Sequence, residues 1–220
     1  QCGWYKDKDG EECINSMYGR FPDIDETKVI EWAGSITNVQ ICFQELIKGS
    51  QRVWLDIETD PVKKQHPIYT EEEWKTVLNS IISTADTILT EALRQTRDAE
   101  SFENLRSEVH SGWVIQESHG KTKRSNHLIH SKFWFQDHLQ AKHFQLAVKK
   151  GIDQSIKDYV DPCANSARPL RIAYNYKFRT TEEKELRPLI ISSDSPVKRD
   201  LLVALPNGGD PLYRIEQAIQ

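Results

Sequence analysis

The chain has 220 residues, of which 28% are charged and 9% aromatic, and its formal net charge is −4. This length can bury a substantial core, and the composition is typical of a soluble globular protein. No apolar run is long enough to span a membrane and no signal peptide opens the chain, so we expect no membrane partner. The four cysteines lack zinc-site spacing, which predicts a reducing, intracellular compartment; they are Cys2, Cys13, Cys42 and Cys163.

The N-terminal quarter is predicted to be a small α/β portion. Residues 1–25 are rich in Gly, Asp and Lys and are expected to be irregular. A short helix is predicted over about Asp25–Ala33, with the aspartate as its N-cap. Apolar residues alternate with polar ones over 39–43, which predicts a strand. A turn at residues 48–51 would join this strand to the next one as a β-hairpin.

The stretch Arg52–Asp60 reads Arg-Val-Trp-Leu-Asp-Ile-Glu-Thr-Asp, and its period of two predicts a half-buried strand. Asp56 and Glu58 would share one face, about 7 Å apart, because each residue rises about 3.3 Å along a strand. Two neighbouring carboxylates repel each other unless a cation lies between them, and hard divalent ions prefer oxygen ligands. Taken alone, the stretch also fits a solvated strand face with surface acids.

Two amphipathic helices and further strands are predicted downstream. Residues 70–73 form a capping box, and the apolar residues behind it recur at helical spacing to about Arg97. A second helix is predicted between Ala141 and Tyr159, with Gly151 as a weak point. The further predicted strands are Trp113–Ile115, Asn126–His130, Leu170–Tyr174 and Leu186–Ile191.

The order from residue 53 to residue 174 is therefore β-α-β-β-α-β, the split βαβ arrangement with two helices on one face of an antiparallel sheet. In that topology the first and third strands are central neighbours. Asp56 and Glu58 would lie beside the strand that holds His127, on the open face, and Asp161 at the mouth of the fourth strand.

Charge is unevenly distributed along this region. Residues 71–110 hold nine acidic and four basic residues, whereas residues 119–150 hold seven basic residues and a single acid. A basic half could form an anion-binding surface, although solvated helix faces would give a similar count.

Three short motifs stand in order along the predicted sheet. They are Leu55-Asp56-Ile57-Glu58, Ser125-Asn126-His127-Leu128-Ile129 and Val160-Asp161, followed by Arg168, Arg171 and Lys177. With these motifs, residues 38–180 resemble the archaeo-eukaryotic primase superfamily, most closely its primase–polymerase and viral primase–helicase branches. The stretch 162–171 lacks the basic and aromatic residues that are frequent in close relatives, and no Cys/His zinc module is present.

The resemblance implies an α+β fold: one catalytic core over residues 1–220, with an RRM-like βαββαβ module at about 53–180, an additional N-terminal α/β portion at about 1–52, and a tail at 181–220 without assignment. It implies a DNA primase or DNA-directed polymerase that makes or extends primers on single-stranded DNA in replication. The cofactors would be two divalent ions, Mg²⁺ or Mn²⁺, and the substrates ribo- or deoxynucleoside triphosphates. A helicase domain or subunit as partner, and a viral or mobile-element origin, are also implied.

The same resemblance assigns roles to single residues. Asp56, Glu58 and Asp161 would be the catalytic carboxylates and the metal ligands. The residues implied to bind the phosphates of the nucleotide are Lys123, Ser125, His127, Arg168, Arg171 and Lys177. The ordinary alternatives are a structural histidine in an aliphatic strand and solvent-facing basic residues in later strands.

Two functions of other classes remain as alternatives. Residues 55–59 also fit the first motif of a DEDD-type 3′→5′ exonuclease, but the later Asp, Tyr or His motifs of that class have no good copy here. A non-catalytic nucleic-acid-binding module of RRM-like fold would carry stacking aromatics where this chain places acids.

Other candidates are interpreted as structural. His119, His130, His138 and His143 match no zinc spacing and are predicted at the surface. Trp134 could stack on a base, although core packing fits it as well.

Overall fold

The computed structural model of the chain describes residues 4–6, 12–14, 28, 31, 35, 44–47, 49–62, 64–162, 168–171, 176–177, 187–188, 190–191, 203 and 213–214. Within these, the helices are α1 (Glu71–Thr96), α2 (Ala99–Ser111) and α3 (His138–Gly151), with a 3-10 turn over Lys157–Tyr159. The strands are β1 (Trp4–Lys6), β2 (Glu12–Ile14), β3 (Gln44–Ile47), β4 (Gln51–Glu58), β5 (Trp113–Glu117), β6 (Ser125–Phe135), β7 (Val160–Asp161), β8 (Arg168–Arg171), β9 (Tyr176–Lys177), β10 (Arg187–Pro188), β11 (Ile190–Ile191) and β12 (Tyr213–Arg214).

The protein is α+β, with helices packed on an antiparallel sheet. The strand order of the main sheet is β11-β5-β6-β4-β7, and β12 adds to β6 as a parallel neighbour. The predicted adjacency of the first and third strands is confirmed, because β4 pairs with β6 from Gln51 to Glu58. In the part of the chain that the structure describes, no helix is long and apolar enough to cross a membrane.

The predicted first helix is confirmed at both ends. The Thr70 hydroxyl accepts from the Glu73 backbone N–H, while the Glu73 carboxylate accepts from the Thr70 N–H, which completes the capping box. The helix ends at its C-cap, Arg97. Its apolar stripe is buried against the rest of the core; the buried members are Trp74, Leu78, Ile81, Ile82, Ala85, Leu89, Ala92 and Leu93.

One hydrogen bond identifies which face of the sheet the helices cover. The Trp74 indole N–H, on α1, donates to the Asn126 side-chain oxygen on β6 at 2.7 Å, and both residues are buried. Alternate residues of a strand point to opposite faces, so Ser125 and His127 point away from the helices. Their partners across the antiparallel pair, Glu58 and Asp56, share that face.

Helix α2 was not predicted from the sequence. Asp98 caps its first turn by accepting from the Ser101 N–H, and its C-cap is Gly112. A Cβ on this glycine would lie 2.2 Å from the His130 ring, so the close approach of α2 to β6 requires glycine.

The expected fourth strand of the sheet is wrong. The strand that pairs with the edge of β4 is Val160–Asp161 and not Leu170–Tyr174. The reason is that α3, the second of the two predicted helices, ends at Gly151 and the chain then returns through the 3-10 turn. Strand β8 pairs with β3, and the first strand of the predicted hairpin, at 39–43, lies outside the described residues.

The N-terminal expectations have mixed outcomes. Residues 1–25 are not wholly irregular, since β1 and β2 pair as an antiparallel ladder. Lys28 and Glu31 are helical, and the rest of the predicted Asp25–Ala33 helix lies outside the described residues, as does the predicted strand at 39–43. Two short strands, β10 and β11, occupy the region of the predicted strand Leu186–Ile191.

Candidate functional site

Four polar residues stand in register across four adjacent strands, on the face that points away from the helices. Gln116 on β5 lies opposite His127 on β6, His127 opposite Asp56 on β4, and Asp56 opposite Asp161 on β7. We call these four residues the polar row. Directly opposed residues of an antiparallel pair have Cβ atoms about 5 Å apart, so the two aspartates are near neighbours.

The polar row lies where the sheet face emerges from the interior. The preceding row on the same face is apolar and buried, with Val114, Ile129 and Trp54 in register. Gln116 is 0% exposed, His127 7% and Asp56 9%, whereas Asp161 at the sheet edge is exposed. The expectation of an open face is therefore wrong for most of the row. Buried polar side chains are uncommon, because removing a polar group from water costs free energy. Where they occur together, a role other than stabilising the fold is expected.

The carboxylates differ in their partners. His127 Nε2 lies 3.9 Å from Asp56 Oδ1, with side-chain exposures of 9% and 13%. Glu58 instead faces a lysine, since the Lys123 Nζ atom lies 2.6 Å from Glu58 Oε2. The resemblance implies that Lys123 binds the triphosphate and Glu58 a metal, whereas here the two residues contact each other.

Backbone and side-chain hydrogen bonds fix the turn that carries Lys123. The Gly120 N–H donates to the Lys123 carbonyl at 2.8 Å, and the Ser125 N–H donates to His119 Nδ1 at 3.2 Å. His119 Nε2 lies 3.5 Å from a Glu117 carboxylate oxygen, so His119 belongs to the turn rather than to the free surface.

Thr59 was missed as a residue of this site. Its N–H donates to the Arg124 carbonyl at 2.9 Å, and its hydroxyl accepts from the Arg124 N–H at 2.9 Å. The Arg124 guanidinium in turn donates to the Tyr69 carbonyl. These bonds extend the β4–β6 pairing by one residue and hold Glu58 and Ser125 in place. The only sequence signal was the β-branched residue directly after the acidic motif.

An aromatic group closes the edge of the sheet next to Asp161. The hydroxyls of Tyr69 and Tyr159 lie 2.9 Å apart, and the His66 ring lies 4.7 Å from the Tyr159 ring. Burial, together with the hydrogen bond to Tyr69, raises the pKa of Tyr159. Burial lowers the pKa of His66, and the nearby Lys64 adds to that effect. This group connects Tyr159, directly before β7, to Tyr69, whose carbonyl accepts from the Arg124 guanidinium.

The later basic candidates lie in other strands. Arg171 is 8% exposed and ends β8, opposite Gln44 of β3. Its neighbour Leu170 belongs to the same hydrophobic core as β4, so β8 packs on the same body. For Arg168 and Lys177 the structure describes the backbone, in β8 and in β9 respectively, outside the sheet that holds the polar row.

In the basic stretch 119–150, which could form an anion-binding surface, more than half of the bases lie close to other groups of the chain. Four of its bases contact groups of the protein itself: Lys123 contacts Glu58, Arg124 contacts the Tyr69 carbonyl, Lys132 Nζ lies 3.9 Å from Glu108, and Lys149 Nζ lies 3.4 Å from Asp158.

The aromatic and histidine candidates of this stretch have different outcomes. Trp134 is half-buried and His143 is exposed. His130 is buried in the core, so its predicted surface position is wrong. Burial lowers the pKa of His130 to about 4.

The residues of the site carry the oxygen atoms that divalent cations prefer, but their side chains are not grouped as a metal site would require. Asp56 and Asp161 are carboxylates that strand pairing brings together, and hard ions such as Mg²⁺ or Mn²⁺ are held by such oxygens. Among the described residues, however, no three His, Cys, Asp or Glu side chains form a group that could hold a metal ion. The third predicted ligand, Glu58, is engaged by Lys123.

A cleft of about 710 Å³ lies elsewhere, between α1 and α3. Its lining includes Thr84, Ile88, His143 and Lys150 and contains none of the predicted site residues. The cleft is therefore separate from the polar row.

Comparison with known proteins adds no assignment. No protein-family model matches the chain, and no curated protein matches it.

Proposed function

We propose that the chain is a metal-dependent nucleotidyltransferase of the archaeo-eukaryotic primase type, which makes or extends primers on a single-stranded DNA template. The observation that carries this proposal is the register of Asp56 opposite Asp161 and of His127 opposite Asp56. Three motifs that are more than 30 residues apart in sequence thereby supply one row on one sheet face.

Each residue has a role that follows from its chemistry. Asp56 and Asp161 would hold divalent cations, with Glu58 as the third carboxylate once it leaves Lys123. Bound Mg²⁺ or Mn²⁺ would position the triphosphate and stabilise charge on the attacking and leaving oxygens. Ser125 and His127 would donate to phosphate oxygens.

The basic residues would balance the phosphate charge. The Lys123 ammonium lies on the same side of the sheet as the carboxylates, since it contacts Glu58. Arg171, and Arg168 and Lys177 by the resemblance alone, would pair with further phosphate oxygens. An Arg fork can contact two such oxygens at once, which a Lys cannot.

The alternatives receive less support. A recognition-motif binding module stacks bases on exposed aromatics of its central strands. Here Trp54 shares the face of the polar row but is 1% exposed, and the next residues on that face are acids. Without a metal ion, these acids would repel the phosphates of a template or nucleotide.

The test is nucleotide incorporation on a single-stranded DNA template. Labelled ribo- or deoxynucleoside triphosphates are supplied with Mg²⁺ or Mn²⁺, with and without a primer. Template-dependent products that vanish with a chelator support the proposal. Shortening of a labelled strand from its 3′ end, with no incorporation, would indicate the exonuclease instead.

A further inference from the structure

We propose that Lys123 acts as an internal counter-ion that competes with a divalent cation for Glu58. In the metal-free protein its ammonium occupies the carboxylate; when a cation binds Glu58, the ammonium is released towards the nucleotide's phosphates. The inference rests on the proposed function and adds a coupling between cation binding and nucleotide binding.

The contact between the two residues is short and largely shielded. Lys123 Nζ lies 2.6 Å from Glu58 Oε2, and the lysine side chain is 8% exposed against 34% for the glutamate. A charge-assisted hydrogen bond of this length is among the stronger ones that a protein makes. A lysine this buried requires a charge partner, because an isolated buried ammonium is costly.

The lysine is held at this position by the fold. Its carbonyl accepts from the Gly120 N–H, and two residues later the Ser125 N–H donates to His119. Ser125 lies directly opposite Glu58 across the β4–β6 pair. The β5–β6 turn therefore delivers the ammonium to the glutamate, in the same way as strand pairing delivers Asp161 to Asp56.

The described carboxylates do not form a group of three that could hold an ion, and Glu58, the third predicted ligand, contacts Lys123. Asp56 and Asp161 are in register, but Glu58 is turned to Lys123. A cation at Glu58 competes with the ammonium, because both are positive charges attracted to one carboxylate. The flexible four-carbon stem of lysine then allows the ammonium to reach a phosphate.

Coupling follows from linkage. If a bound cation frees Lys123 for phosphate, a bound triphosphate that draws Lys123 away must also raise the affinity of Glu58 for the cation. The ammonium thus lowers the affinity for cations in the absence of substrate and favours loading of cation and nucleotide together.

The test measures Mn²⁺ binding without nucleotide, from the electron paramagnetic resonance signal of the free ion. Lys123→Met should bind Mn²⁺ about tenfold more tightly than the unchanged chain, the scale of a charged hydrogen bond reduced for partial exposure. Lys132→Met is the matched control, since it removes the same charge from a lysine of β6 that pairs with Glu108 instead. It should change the affinity by less than about twofold.

A second measurement needs no variant. Acetylation of lysines, followed by mass spectrometry, should show Lys123 protected in the metal-free protein and labelled faster when Mn²⁺ is added, with Lys132 unchanged. Unchanged Mn²⁺ affinity in Lys123→Met and unchanged Lys123 labelling would overturn the competition. If Asp56→Asn abolishes Mn²⁺ binding at the same time, the proposed function survives that failure. Absence of Mn²⁺ binding in every variant would overturn both.

Discussion

Asp161 lies directly opposite Asp56 in the antiparallel pairing of β7 with β4. The two residues are 105 positions apart in the chain, and a two-residue strand at the sheet edge brings them together. Like charges at this spacing repel each other unless a cation lies between them. The pairing is therefore costly by itself, and a metal-binding role gives it a physical reason.

The nucleotide-binding assignment predicts a difference between two ligands. Arg171→Lys should weaken nucleotide binding by about 1.5–3 kcal/mol, the scale of a charged hydrogen bond, because lysine lacks the two-pronged contact. His127→Ala should also weaken nucleotide binding but leave binding of single-stranded template largely unchanged. Titrations of labelled nucleotide and labelled template against each variant measure this. Equal losses for the two ligands would assign these residues to the fold or to the template.

A buried hydrogen bond between the sheet and α1 should be important for stability. Asn126 is 1% exposed and Trp74 3%. Asn126→Leu would leave the buried Trp74 indole N–H without its acceptor. We expect this to lower the free energy of unfolding by about 1–3 kcal/mol. Urea unfolding checks this. Trp74→Phe in the same background is the control, since removing the donor as well should recover part of the loss. A loss that is unchanged in the double variant would show that packing, not the hydrogen bond, is responsible.

The close approach of Gly112 to His130 predicts a second stability effect. A methyl group on Gly112 would lie 2.2 Å from the imidazole, so Gly112→Ala should destabilise the protein by about 1–3 kcal/mol, the usual cost of overpacking. When His130 is also replaced with Ala, Gly112→Ala should lower the free energy of unfolding by less. Additive costs, measured by urea unfolding, would show that the two positions do not share this space.

His130 also predicts the pH dependence of stability. The Lys132 N–H donates to Nδ1 and Nε2 lies 2.9 Å from the Val109 carbonyl, so the neutral ring carries its proton on Nε2. A second proton would face a donor, and burial lowers the pKa from 6.5 to about 4.

Because the folded pKa is depressed, the unfolded chain binds more protons between these values. The contribution of His130 is therefore complete above pH 6.5 and is lost as pH falls towards 4, by about 3 kcal/mol in total. Urea unfolding between pH 4 and 8, compared with His130→Gln, measures this. An equal pH slope in both proteins would contradict the assignment.

Local patterns predicted the elements that carry strong periodicity. The capping box at Thr70 and the alternation around Asp56 gave α1 and β4 because both signals are local. The identity of the fourth strand was missed because Val160–Asp161 is two residues long and has no period of its own. It is a strand only because the sheet edge at β4 offers hydrogen bonds.

The residues of the site likewise divide into those that have a local sequence signal and those that do not. The acids and His127 could be found because each belongs to a short motif. Gln116 and the Lys123–Glu58 contact could not, because both depend on the register of β5 and on the geometry of the turn that follows it. Neither has a signal in the spacing of residues along the chain.

The central claim is that Asp56 and Asp161 act together in metal-dependent nucleotidyl transfer. The most direct measurement is template-dependent incorporation with Mn²⁺ by the unchanged chain, Asp56→Asn, Asp161→Asn and the matched control Asp158→Asn. Asp158 is an acid three residues from Asp161 whose side chain is 63% exposed and lies 3.4 Å from Lys149. We expect both site variants to lose incorporation by at least about a hundredfold, because each replaces a charged carboxylate with a neutral amide, and the control to retain it. Incorporation by Asp56→Asn or Asp161→Asn at the level of the control would contradict the account.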